Sequence, residues 1–432
     1  MKQTLFVFAI IMSSTCWSQK IASGPMVGYS TMREVGVWVQ TDKKAEIRLL
    51  FWPKDSHAKP KTSQVVKTNR DHGFTAHLVA ELLEPGTEYE FAISIDEKVV
   101  KPKFQQHFKT QALWQSRTDA PDFTFVAGSC MYINEESYDR PGSPYGGDYQ
   151  IFHHIAKEQP DFMVWLGDNT YTREVDWDSR SGIYHRYSHT RANPELQEIL
   201  PIMHHYAVWD DHDYGPNDSD RQYWNKDITK QAFVDFWNNQ NIGVGGSEGV
   251  TSTFSWSDCQ YFMVDNRWYR TSAIMDDRHI IGEPQLTWLK ESLLYSKSTF
   301  KFICIGGQFI NDAAVFENHA TYPEERQDLI DFIDKNQIKN VVFFTGDRHH
   351  SEISLLTTQN GINIFDITSS ALTSGSAPHY DEQNHQRIPG SMIGQRNYAL
   401  VKISGTPMER KLTVHFKDSN GNSLYHYDII SQ

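Results

Sequence analysis

Two apolar runs in the chain end in residues able to hold a metal ion. The stretch NVVFFTGDRHHSE, residues 340–352, delivers Asp347 and His349 just after Val341 to Phe344, and WLGDNTY delivers Asp168 and Tyr171 in the same way. The pattern recurs along the chain. Cys130 closes FVAGSC, Asp211, His212 and Asn217 lie in VWDDHDYGPND, Arg267 lies in VDNRWYR, and Gln308 follows IGG. Aspartates supply hard anionic oxygens, cysteine a thiolate, tyrosine a phenolate and histidine an imidazole, so the set spans the donor types of a metal centre. Any one such segment is most simply a polar loop after a strand. Six in one chain ask for a common explanation.

Crowded carboxylates repel one another and take up protons unless cations sit among them. A two-metal hydrolytic site answers that need, with cations about 3.5–4 Å apart gripping a phosphoryl oxygen and activating a water. His212, flanked by carboxylates that raise its pKa, is the candidate proton donor to the leaving oxygen. Arg267, at the end of an apolar run, suits bidentate contact with phosphate.

Such residues meet only if the elements that carry them end along one edge. From about Ile21 to Thr110 the chain shows short alternating runs such as VGVWVQT, AEIRLLFW and EYEFAISI, with a turn just before Tyr89 as in the tyrosine corner of immunoglobulin-like sandwiches. This predicts a small all-β sandwich of fibronectin III or immunoglobulin type, with a boundary in residues 111–122. Beyond it strands alternate with helices: FTFVAGSC, then Ile151, Phe152 and Ile155 at helical spacing, then DFMVWLGD; later Leu286, Leu289 and Leu293 precede FKFICIGG, and EERQDLIDFIDKN precedes VVFFTGD. An α/β domain with parallel strands brings their carboxyl ends to one edge, where sites form.

With 432 residues the chain can build two cores, and its net charge of −13 leaves no basic surplus for a nucleic-acid backbone or an anionic membrane. The N-terminal MKQTLFVFAIIMSSTCWSQK reads as a signal peptide, residues 1–18, cut after Ser18; its apolar run is too short to span a bilayer, and no later run is long enough. An exported, periplasmic or secreted protein without a transmembrane segment is expected. Without Cys16 an odd number of cysteines remains: Cys130, Cys259 and Cys304. Cys259 and Cys304 lie in strand-like segments and read as two buried thiols or one disulfide, whereas Cys130 ends at the candidate site.

Taken in order, FVAGSC, WLGDNTY, VWDDHDYGPND, VDNRWYR and TGDRHHSE resemble the PhoD-like alkaline phosphatases of the calcineurin-like metallophosphoesterase superfamily, across nearly all of the mature chain. The resemblance implies a four-layer αββα phosphoesterase domain, residues 116–432, preceded by a fibronectin-like domain, residues 19–115. It implies that Cys130, Asp168, Tyr171 and His349 hold a ferric iron, and that Asp168, Asp211 or Asn217, and Asp347 face a second metal, often calcium. His212 falls at the superfamily's catalytic histidine, and Gln308 where many members place another metal-binding histidine. The leader departs from the family's common twin-arginine signal, having a single Lys2, and export unfolded by the general route would mean metal loading after translocation. Substrates within the family range over phosphomonoesters, phosphodiesters and phospholipase D-type diesters.

Two other classes compete with this one. GGSEG, residues 245–249, matches the nucleophile-elbow pattern of serine hydrolases, which requires a strand before the serine and a helix after it. A non-catalytic exported binding protein is disfavoured by the complete ligand set.

Overall fold

The computed structural model describes residues 20–56 and 58–432. The expected signal peptide, with Cys16, lies outside the described residues. Two sheets form the centre of the molecule. The first has nine strands in the order Ser423–Ile430, Lys411–Asp418, Asn397–Ser404, Phe123–Gly128, Phe162–Leu166, His204–Val208, Ile21–Ser30, Val35–Thr41 and Thr75–Ala80. The second has six, in the order Ser252–Trp256, Cys259–Met263, Phe300–Cys304, Val341–Thr345, Asn363–Thr368 and Glu352–Thr357.

Side-chain alternation explains why these sheets stack. Phe125, Ala127, Phe162 and Val164 of the first sheet meet Tyr261, Phe302 and Phe344 of the second in one core. The residues between them, Val126, Met163 and Trp165, face the opposite side. There the helices Ile151–Glu158, Arg180–Arg191 and Lys226–Phe236 contribute Ile155, Tyr187 and Phe233. Ile303, Val341 and Phe343 of the second sheet likewise face Leu289, Leu293 and Leu329 of the helices Glu283–Tyr295 and Pro323–Lys335. Strands buried on both faces read as continuous apolar runs, and the result is the expected αββα layering. Phe125 is the hinge of the central layer, its ring 5.0 Å from Phe162, 5.6 Å from Tyr261 and 5.4 Å from Phe344.

The N-terminal strands behave less independently than their sequence suggests. Val35–Thr41 and Glu88–Ile95 pack face to face through Val37, Val39, Phe91 and Ile93, giving the expected sandwich core. Tyr89 is buried and its hydroxyl accepts a hydrogen bond from the Glu84 N–H at 2.9 Å, five residues upstream. Yet Ile21–Ser30 also pairs in parallel with His204–Val208, Val27 opposite His204, so three sandwich strands extend the nine-stranded sheet. Periodicity within a strand carries no information about its neighbour.

Cys259 and Cys304 are buried and unbridged. They lie on paired strands but at opposite ends, Cys259 opposite Phe300 and Cys304 opposite Met263, so no disulfide forms. The GGSEG segment departs from a nucleophile elbow. Val244–Gly246 is a 3₁₀ turn, Ser247 hydrogen-bonds Thr251 at 2.9 Å, and a strand, not a helix, follows.

Candidate metal centre

Three parallel strands of the first sheet and four of the second end on one edge, and each predicted segment begins where its strand stops. The two sheets come very close there: a Cβ on Gly346 would lie 2.6 Å from that of Ser129 in the other sheet, so only glycine fits before Asp347. Four candidate ligands adopt left-handed backbone, Cys130 at φ 59°, Asp168 at 53°, Asp347 at 71° and His349 at 55°. Each such residue costs roughly 1–3 kcal/mol, and strain of this kind gathers at functional sites. Turning the chain sharply aims each side chain back over the sheet ends.

The donor atoms of Cys130, Asp168 and His349 lie within 4.8 Å of one another, as do those of Asp168, Asp211 and His212, and those of Asp210, Asp211 and Asp347. Asp168 and Asp211 belong to more than one of these groups, so they form one continuous array. Around the first group, Tyr171 donates its hydroxyl to Asp168 Oδ2 at 3.0 Å and meets His349 Nε2 at 3.3 Å. Ser370 donates to Cys130 Sγ at 3.2 Å. His349 Nδ1 donates to the Gly375 carbonyl at 2.6 Å, which leaves Nε2 facing the cluster as a potential ligand.

Asp211 opens the short helix Asp211–Tyr214, capped by Asp210, whose N–H in turn bonds the Asp213 carboxylate at 3.0 Å. Asp211 Oδ2 accepts the Asp218 N–H at 2.7 Å, while Asp211 Oδ1 and Asp210 Oδ2 are buried with no hydrogen-bond donor among the described residues. Buried oxygens without a donor are costly unless something positive serves them. That observation, together with the mixed oxygen, sulfur and nitrogen donors, fits metal ions.

Protonation follows the same logic. Burial first, and then Asp211, Cys130 and Asp210, push Asp168 well above the carboxylate range, and burial with Asp210 and Glu317 does so for Asp347. Against its burial, Cys130 falls below the usual thiol range through His349 and the Ser370 and Ser129 hydroxyls. Against burial too, His349 rises to about 9 through Cys130 and the Gly375 carbonyl. Asp168 and Asp347 thus hold protons that cations can replace, whereas against its burial His212, Arg267 and the Asp218 N–H hold Asp211 below the usual carboxylate range.

Three expectations change. Arg267 is fully buried and faces no free space: Nε donates to Asp210 Oδ1 at 2.7 Å, Nη1 to Glu317 Oε1 at 2.8 Å and Ser219 O at 3.3 Å, and Nη2 to Asp210 and Glu317. All five N–H donors are engaged, so it braces carboxylates instead of presenting itself to phosphate. Asn217 is exposed in the turn after the helix, whereas Asp211 is buried with its carboxylate among the clustered donors. For His212, burial outweighs the pull of Asp211 and its pKa falls below the usual imidazole value, where flanking carboxylates had suggested a rise.

Gln308 is also committed elsewhere. Its amide donates to Glu352 at 2.7 Å and Thr368 at 2.9 Å and accepts from Arg348 at 2.6 Å. Sequence reasoning missed Asp210, Asp218 and Glu317, although a further group of donors joins Asp211, Asp218 and Glu317. Asp210 and Asp218 lie inside the VWDDHDYGPND run and were legible there; Glu317, in NDAAVFENHA, carries no local signal.

Residues 125–408 match the PhoD-like phosphatase family, and residues 18–113 match a domain of unknown function, DUF7800. Alkaline phosphatase D of Bacillus subtilis (strain 168) is 24% identical over 387 residues, 74% of this chain; the match spans 62% of that relative's own length. The solved structure of PhoD superposes with a TM-score of 0.74 at 17% identity, over 94% of this chain and 91% of that one. Purple acid phosphatase PPD1 from yellow lupin seeds superposes with a TM-score of 0.69 at 13% identity, over 94% and 74%. These two likenesses establish the fold.

Proposed function

Because the chain belongs to the PhoD-like phosphatase family, we propose that it is an exported, metal-dependent phosphoesterase acting on phosphomonoesters, phosphodiesters or both. The observation that carries the reading is the array of donors from Cys130 to Glu317, with the buried, donorless oxygens of Asp210 and Asp211 inside it. Cys130, Asp168, Tyr171 and His349 would hold ferric iron, and Asp168, Asp211 and Asp347 a harder ion such as calcium. When bound, such ions polarise a phosphoryl oxygen and lower the pKa of a water.

The chain's own residues supply the rest. His212 is the proton donor to the leaving oxygen: its ring is stacked on Tyr171, centroids 4.3 Å apart, and its backbone N–H donates to Asp168 Oδ1 at 3.3 Å, which ties its position to the array. Its side chain is 23% exposed, enough to reach substrate from the edge of the cluster. Arg267 holds Asp210 and Glu317 against the repulsion of their neighbours. In domain terms, residues 1–18 are taken as a leader, 19–115 as the sandwich and 116–432 as the catalytic unit.

The deciding experiment is hydrolysis of p-nitrophenyl phosphate and bis-p-nitrophenyl phosphate by purified protein, with and without a chelator, alongside elemental analysis. Activity that follows bound metal supports the reading; metal-loaded protein inert toward both esters removes it.

A further inference from the structure

Phe316 combines two features that ordinary packing does not reward. It is a large apolar side chain 66% exposed, and its backbone is left-handed at φ 49°, a conformation bulky residues avoid. Backbone strain of this kind gathers at functional sites.

Its position indicates the task. The next residue, Glu317, has its carboxylate in the group with Asp211 and Asp218. The ring itself is braced by Arg348, whose guanidinium lies 4.9 Å from its centroid, and Arg348 sits between the candidate ligands Asp347 and His349 in sequence. His379 packs 5.0 Å from the same ring. The loop is fixed from beneath: Asn318 donates its amide to the Ala313 carbonyl at 3.0 Å and accepts from Arg348 at 2.7 Å. Tyr380, beside His379, is 67% exposed. An exposed aromatic face is therefore carried by the loop that brings Glu317 into the array, and it packs on Arg348 of the loop that brings in Asp347 and His349.

We propose that Phe316 is a specificity-determining residue that seats an aromatic second ester group of a phosphodiester, an inference that rests on the phosphoesterase reading above. An aromatic face favours flat apolar groups through stacking and edge contacts. A phosphomonoester has no second ester group to place there, and a methyl group is too small to cover the ring.

The test compares phenyl p-nitrophenyl phosphate with methyl p-nitrophenyl phosphate, which release the same p-nitrophenolate. Metal-loaded wild type is expected to favour the phenyl ester, chiefly through KM, and Phe316→Ala should reduce the phenyl-to-methyl ratio of kcat/KM by about 10-fold. Taking that ratio in both proteins cancels the intrinsic reactivity of the esters. Phe316→Trp should keep the preference, which separates loss of the aromatic surface from damage to the loop. A ratio unmoved by Phe316→Ala, or an equal fall for both esters, overturns the assignment. Wild type that cleaves neither diester yet hydrolyses p-nitrophenyl phosphate overturns this inference and leaves the phosphoesterase reading standing, whereas metal-loaded protein inert toward all three overturns both.

Discussion

The imidazole of His212 lies over the phenol ring of Tyr171, with 4.3 Å between centroids and 30° between planes. One side of this stack belongs to the proposed iron site and the other to the proposed proton donor, so perturbing the two residues should give separable signatures.

His212→Ala should lower kcat by roughly 10²–10⁴ for esters with poor leaving groups and by less for p-nitrophenyl esters, with bound metal near wild type. Because burial sets its pKa below the usual imidazole value, the protonated donor is lost early as pH rises. The rate ratio of poor to good leaving groups should then decline with increasing pH. Loss of metal in this variant would make His212 a ligand and leave the donor unassigned.

Tyr171 should remain a phenol in metal-free protein, since burial, Asp168 and Cys130 all hold its pKa above the ordinary range. Ferric iron should ionise it, giving a visible charge-transfer band that Tyr171→Phe bleaches. Cys130→Ala should lower bound metal, whereas Cys259→Ala and Cys304→Ala should not, as those thiols lie in the core between the sheets. A colourless, iron-free and fully active enzyme would refute the iron assignment.

Arg267→Ala should act on stability more than on KM. It strands Asp210 as a buried charge without its ionic partner and leaves Glu317 with Arg270 alone, a loss of roughly 3–5 kcal/mol for a broken buried pair. Denaturant midpoints and KM on the same preparation decide the point: a stable protein with selectively raised KM would return Arg267 to phosphate binding.

Acid should destabilise the strand that joins the sandwich to the catalytic sheet. His205 accepts from Trp165 Nε1 at 3.0 Å and donates to the Ile199 carbonyl at 3.2 Å, so neither ring nitrogen has room for another proton, and burial lowers its pKa from 6.5 to about 3. The unfolded chain binds a proton that the folded chain refuses, so stability present above the unfolded pKa of 6.5 is lost as pH falls toward about 3. Between pH 6.5 and 5 this amounts to roughly 2 kcal/mol. Asp366, raised to about 6 by burial, contributes the opposite slope, so the comparison is with His205→Gln, which can keep both hydrogen bonds. Parallel stability curves for the two proteins would exclude the effect.

Phosphomonoesters and phosphodiesters should both be cleaved, since cations grip oxygens that both present. A kcat/KM ratio beyond about 10³ in either direction for p-nitrophenyl phosphate against bis-p-nitrophenyl phosphate, some 4 kcal/mol of discrimination, would contradict this.

The sequence by itself determined the alternation of strands and helices, the strand ends at which Cys130, Asp168, Asp211 and Asp347 lie, and thereby the place of the site. Those signals are local: apolar runs buried on both faces, and a glycine and an aspartate where the chain must turn. Only the tertiary structure decided what each polar group faces. Arg267 follows a strand just as a phosphate ligand would, yet Asp210 and Glu317, 57 and 50 residues away in the chain, take up its donors. Asp211 and Asn217 offer similar oxygens, and the turn of a four-residue helix buries one and exposes the other. Glu317 enters the array, and the sandwich strands enter the catalytic sheet, through approaches between distant segments. Such approaches are set by the packing of the layers, which no residue spacing within one element encodes.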